Sequence, residues 1–138
     1  FPAVLTAKAY WQFPLASNCK VGVDAISSSQ DLNFMFHFAM SSTDLGKDVA
    51  LIFRYDIVQP GDYFGTPTVT QTNNETITIS SSQYVLQNIT SVNFKIPYTQ
   101  MALVSTRSIV VCSIERDVSI INNHAGKFQM VGVTAYQV

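Results

Sequence analysis

The sequence predicts an all-β fold, and three observations carry that expectation. Roughly eight short apolar or alternating runs recur at about 8–12-residue spacing, the pattern of a β-sandwich or barrel. Two of these runs alternate with period two along their whole length, which sets one face of each against a core. No stretch has a helical period of useful length, and no repeat of solenoid length occurs. The 138 residues suit one domain, 1–138, with enough chain to bury a proper core. Residues 1–15 are expected to form an extended N-terminal arm.

The elements follow in order. Ala3 to Phe13 is an extended lead-in that ends at Pro14. Trp11 and Phe13 share a face, and that face is expected to be packed, because large aromatics contribute heavily when buried. Asp24 to Asp31 is a polar, Ser-rich loop with room for one helical turn. Leu32 to Met40 is the clearest strand: Leu32, Phe34, Phe36, Phe38 and Met40 take one face, and Asn33, Met35, His37 and Ala39 the other. Ser41 to Lys47 is a connection with Gly46. In the strand from Val49 to Val58, Val49, Leu51, Phe53, Tyr55 and Ile57 alternate with Ala50, Ile52, Arg54, Asp56 and Val58.

Pro60-Gly61-Asp62 forces a turn. Thr66 to Thr72 is a weak strand, and Pro67 places it at an edge. Asn73-Asn74 is expected to turn, before Glu75 to Ser80 sets Thr76 and Thr78 against Ile77 and Ile79. Between Tyr84 and Tyr98, Val92, Phe94 and Ile96 line one face ahead of Pro97. Ile109 to Glu115 and Phe128 to Gln137 complete the set. Phe34, Phe36, Phe38, Leu51, Phe53, Val111 and Val131 are the expected core.

Composition narrows the function classes. The chain is 47% hydrophobic and 12% charged, against about 25% charged for an average domain. Ser, Thr, Asn and Gln take the place of charge at the surface. That suits a sandwich with much of its surface buried in an assembly. Net charge is −1 and the pI about 6.1. With no basic stripe, phosphate-dominated nucleic-acid binding is excluded. No apolar run reaches the roughly 18 residues of a membrane-spanning helix. Residues 1–20 lack the charged stretch and apolar run of a secretory signal. Cys19 and Cys112 are read as buried thiols, as a disulfide between the N-terminal segment and the penultimate strand, or as a metal pair.

No catalytic constellation emerges. His37 alternates with phenylalanines, as a ligand or acid–base group would, and equally as an outward-facing or interface histidine would. Its only histidine partner, His124, sits in a polar turn. No serine lies in a Gly-x-Ser-x-Gly elbow. Asp44 and Asp48 could hold calcium, or could cap backbone N–H groups in turns. Asn74-Glu75-Thr76 and Asn88-Ile89-Thr90 match the glycosylation sequon. Tyr10, Trp11, Tyr55, Tyr63, Phe64, Tyr84 and Tyr98 suit a core, a subunit interface or a sugar-stacking platform. Arg116 is expected to meet a carboxylate other than its neighbour Glu115, since neighbours on a strand face opposite ways. No metal and no cofactor is expected.

Leu32 to Met40, then Ser41-Ser42-Thr43-Asp44-Leu45-Gly46-Lys47-Asp48-Val49, and the closing Ile114-Glu115-Arg116-Asp117 with Gly126-Lys127-Phe128-Gln129-Met130-Val131-Gly132-Val133-Thr134-Ala135-Tyr136 resemble a recurrent tailed-bacteriophage structural domain. The resemblance covers residues 32–58 and 108–138. The sequence departs from it at Asn122 to Lys127, which lacks an acidic pair, so no ion site is expected there. The resemblance implies an antiparallel jelly-roll-like β-sandwich, often trimeric, in a virion. It implies a non-enzymatic capsid decoration (cement) protein on the capsid exterior, with the major capsid protein and its own copies as partners. The alternative is a receptor- or carbohydrate-binding module of a tail fibre, with a glycan as ligand. Phe1, Leu5, Tyr10, Trp11, Phe13, Tyr63 and Phe64 are the interface candidates.

Overall fold

Alternation builds the two central strands. The computed structural model describes residues 8–15, 30–105 and 107–137. In β2 (Leu32–Met40), Leu32, Phe34, Phe36, Phe38 and Met40 are buried, and the residues between them are half-buried on the other face. In β3 (Asp48–Val58), Val49, Leu51, Phe53, Tyr55 and Ile57 are buried. Each such side chain contributes about 1.5–3 kcal/mol by leaving water. The strands face one another from different sheets, so Phe34 and Phe36 meet Phe53 at ring-centroid distances of 5.4 and 6.1 Å.

The remaining strands are β1 (Lys8–Pro14), β4 (Val69–Thr78), β5 (Gln87–Ile89), β6 (Lys95–Ile96), β7 (Ile109–Asp117) and β8 (Phe128–Gln137). A single turn of helix, α1 (Tyr98–Met101), follows β6. One sheet has the order β1-β7-β3-β4. In the other, β8 pairs with β2 along its length. The short β5 and β6 also pair with β2 and therefore share its opposite edge. All these pairings are antiparallel, so the molecule is an antiparallel β-sandwich of eight strands.

The second half of the expected N-terminal arm belongs to the first sheet, as β1 on β7. Its Trp11 and Phe13 pack on the core, as their shared face predicts. Trp11 meets Phe34 and Phe36 edge-on, both at 5.8 Å, while Phe36 meets Phe94 at 5.0 Å and 87°. Such pairs add about 0.5–1.5 kcal/mol each beyond area burial.

Two expected core residues are not buried. Val131 is 65% exposed. Met130 pairs with Phe38 and Gly132 with His37, which leaves Val131 as the extra residue of a β-bulge. The bulge shifts the phase, so that Phe128, Met130 and Val133 turn inward. Val111 is half-buried on the outer face of the first sheet. Both faces of β7 are apolar there, and Val110, Cys112 and Ile114 take the inner one.

Three local expectations also differ. Asn73-Asn74 does not turn, because β4 runs straight through it, paired with Phe53 and Ile52 of β3. β4 is at the sheet edge, as Pro67 predicts, though it begins only at Val69. Val92 is exposed while Phe94 and Ile96 are buried. A turn closed by Phe94 N–H to Ser91 O (3.0 Å) breaks the alternation there. Phe1, Leu5, Cys19 and most of the loop from Asp24 lie outside the described residues.

Candidate functional site

Three loops meet at one end of the sandwich: 41–47 after β2, 79–86 after β4 and 118–127 after β7. Polar residues tie them together through the backbone. Ser41 N–H donates to Lys127 O (2.9 Å), Asp48 N–H to Asn122 O (2.8 Å) and His124 N–H to Asp48 O (2.8 Å). Gly46 N–H donates to Ile79 O (3.0 Å), and Tyr84 N–H to Met40 O (2.8 Å). Asp44 and Asp48 are each engaged: the Asp44 carboxylate accepts Ala125 N–H (3.0 Å), and the Asp48 carboxylate accepts the Thr78 hydroxyl (2.8 Å).

Arg116 anchors this end. It is fully buried at the close of β7, and the carboxylate partner expected for it does not appear. Instead its guanidinium donates to Gly126 O (2.7 Å), His124 O (2.6 Å) and Asn123 Oδ1 (3.0 Å). Burial pushes its pKa down, yet arginine stays a cation. His124 is buried beside it, and its Nδ1 accepts Gly126 N–H (2.9 Å), so the neutral ring carries its proton on Nε2. Desolvation holds the His124 pKa below its usual value; Asp44 opposes this and Arg116 reinforces it. Gly126 sits in close approach: a Cβ there would lie 2.9 Å from Cε1 of the buried His124 ring and 2.5 Å from Ser42 Oγ.

This braced end exposes several large apolar side chains among polar ones such as Thr43, Lys47, Gln83 and Lys127. Leu45, Tyr84, Leu86 and Ile121 are exposed. Tyr84 also holds a φ of 59°, a left-handed conformation uncommon outside glycine.

The opposite end carries the two aromatics expected at an interface. Tyr63 and Phe64 are 83% and 79% exposed. Their loop begins with a turn in which Asp62 N–H donates to Gln59 O (3.0 Å) and Gly61 has a φ of 97°. Asp62 then clips the loop: its Oδ2 accepts Gln59 N–H (2.9 Å), Thr68 N–H (3.1 Å) and the Thr68 hydroxyl (2.6 Å). Those bonds, the Thr68 hydroxyl first, hold the Asp62 pKa below the usual carboxylate range.

Both ring nitrogens of His37 are engaged. Its ring bridges Asn88 Oδ1 of β5 (2.6 Å) and Thr134 Oγ1 of β8 (2.7 Å), tying both neighbours to β2. Asn88, within a sequon, is therefore engaged, whereas Asn74 is exposed on the edge strand. Among the described residues no three His, Cys, Asp or Glu side chains converge as metal ligands would. Cys112 is buried.

Two surface hollows add polar sites. One of about 280 Å³ lies on the outer face of the first sheet, beside Tyr10, which is 68% exposed. Another, of about 300 Å³, follows the seam between β4 and α1, where the Tyr55 hydroxyl donates to Gln100 Oε1. Burial there pushes the Tyr55 pKa up to about 12, so its hydroxyl remains a neutral donor. Sequence reasoning missed Arg116 and His124 as a buried pair, since main-chain acceptors leave no pattern in the residues.

No family model matches the chain, and neither a curated protein nor a solved structure does so.

Proposed function

We propose that this chain is a non-enzymatic structural protein of a tailed-phage virion, a capsid decoration (cement) protein that docks on the major capsid protein. The carrying observation is the braced loop end: three cross-linked loops presenting Leu45, Tyr84, Leu86 and Ile121. A surface already fixed by backbone bonds loses little entropy on docking. The low charge supports the same reading, because an interface core penalises unpaired charge. The closing-strand resemblance supplies the setting, the capsid exterior, and the trimer.

The decoration reading predicts saturable binding to capsids stripped of this protein, and a higher melting temperature of the bound shell. Leu86→Asp with Ile121→Asp should abolish that binding and leave the free protein's melt unchanged. Light scattering should give a trimer. Capsids that bind the double variant as well as the wild type would sink the docking surface.

A second reading, a receptor- or carbohydrate-binding module of a tail fibre, is favoured by the clipped, exposed Tyr63 and Phe64. It predicts that host cells bind the isolated protein, and that Tyr63→Ala or Phe64→Ala abolishes this.

A further inference from the structure

The register of the first sheet lines up its outer face in rows. Lys8, Glu115, Ile52 and Asn74 form one row, followed by Tyr10, Ser113, Arg54 and Thr72, then Gln12, Val111, Asp56 and Thr70. In the middle row the small Ser113 stands between two long side chains. The result is the hollow of about 280 Å³, walled by Lys8, Tyr10, Arg54 and Asp56 and floored by Val111 and Ser113. That volume lies just below the usual range of drug-sized sites, about 300–1,000 Å³, and suits a single ring.

The walls define the chemistry. Arg54 Nη2 reaches Asp56 Oδ1 at 3.3 Å and Thr70 Oγ1 at 3.2 Å. Lys8 Nζ lies 3.2 Å from Glu115 Oε2. Both ion pairs are solvent-accessible, and such pairs contribute little stability, so a ligand can exchange with them. Two cations beside two carboxylates leave no net field to attract an anion. A hydrocarbon ligand would bury the charged groups without replacing their hydrogen bonds. A polyol does replace them: each hydroxyl both donates and accepts, and adjacent hydroxyls match a guanidinium fork beside a carboxylate. The exposed Tyr10 ring supplies apolar surface for the C–H face of a sugar.

We propose that this hollow on the outer face of the β1-β7-β3-β4 sheet is a binding site for a neutral saccharide ring, with Tyr10 stacking and Arg54 and Asp56 hydrogen-bonding its hydroxyls. The site goes beyond capsid docking and is separate from the Tyr63–Phe64 loop, which lies at an end of the sandwich.

The test titrates the isotope-labelled full chain with methyl glycosides of glucose, galactose, mannose and N-acetylglucosamine, and with sialic acid as an acidic probe. Saturable amide shifts centred on Tyr10, Arg54, Val111 and Ser113 with at least one neutral glycoside are expected. Tyr10→Ala and Arg54→Ala should each weaken that binding at least about tenfold, with melting temperatures unchanged. Leu86→Asp and Tyr63→Ala should leave it intact. No binding of any neutral glycoside, binding of sialic acid alone, or undiminished binding by Tyr10→Ala would each overturn the proposal. Loss through Tyr63→Ala instead would move the site to the loop. Because Leu86→Asp affects capsid docking alone, failure of one proposal leaves the other readable.

Discussion

Arg116 donates to the main-chain oxygen of His124 at 2.6 Å, and so holds the last turn before β8 against the end of β7. Both residues are buried. A cation is thus satisfied largely by backbone carbonyls and one amide oxygen. The loop end takes its rigidity from this contact, and both residues can be probed by substitution and by pH.

Replacing Arg116 by Met removes the donors and leaves the Gly126 and His124 carbonyls without them. Each orphaned buried acceptor costs roughly 1–3 kcal/mol, so the expected loss is about 2–6 kcal/mol in urea unfolding. Arg116→Lys should recover only part of it, since one ammonium cannot reproduce the fork. A loss under about 1 kcal/mol would mean that the carbonyls find other donors.

His124 makes stability depend on pH. Its folded pKa is below the unfolded value of 6.5, so the unfolded chain takes up the proton first. The stabilisation is fully present above 6.5 and is lost as pH falls from there through the folded pKa. Asp44 and Arg116 are the charges acting on it. The His124 Cε1–H resonance should titrate with a midpoint below 6.5, and the unfolding midpoint should fall on acidification in that window. A midpoint above 6.5 would contradict the buried neutral ring.

The bulge leaves Val131 in solvent and turns Val133 inward, a choice that sequence alone cannot make. Val131→Thr should change stability by less than about 0.5 kcal/mol, because the side chain is in solvent. Phe36→Ala should cost about 3–5 kcal/mol, since its ring is enclosed. Thermal or chemical melts of the two variants check this, and comparable losses would put Val131 back in the core.

Asp62→Ala should release the loop that carries Tyr63 and Phe64, because three hydrogen bonds end on its carboxylate. Chymotrypsin should then cut after Tyr63 or Phe64 faster than in the wild type, at an unchanged global melting temperature. Equal cleavage rates would show that the loop keeps its shape without the clip.

The alternation of Leu32 to Met40 and of Val49 to Ile57 made the two central strands readable, because one face of each is wholly apolar. Elsewhere the residues underdetermine the answer. Val131-Gly132-Val133 fits either phase, and only the pairing with His37 and Phe38 chooses. Val110 and Val111 present the same choice on β7. Asn73-Asn74 has turn chemistry, but its ladder to β3 and the Asn73 side-chain bond to Asn93 O at 3.1 Å hold it extended. Of the interface candidates, Tyr10, Tyr63 and Phe64 are exposed while Trp11 and Phe13 pack on the core, and the hollow beside Tyr10 leaves no mark in the sequence. It arises from Ser113 lying between Tyr10 and Arg54, residues far apart in the chain.

Lys8 pairs with Glu115 in one sheet, and Leu32 with Gln137 in the other. Each sheet therefore joins an early part of the chain to a late one. During synthesis the β3–β4 hairpin can close early, but β1 and β2 must wait for partners that leave the ribosome much later. Contacts this distant in sequence make closure slow. A chain clipped before Phe128 would bare the long edge of β2, leaving a row of unpaired backbone groups beside its phenylalanines, open to a neighbouring molecule. The closing strand is thus the chain's safeguard against aggregation, and its arrival sets when the edge of β2 is covered in a newly made molecule.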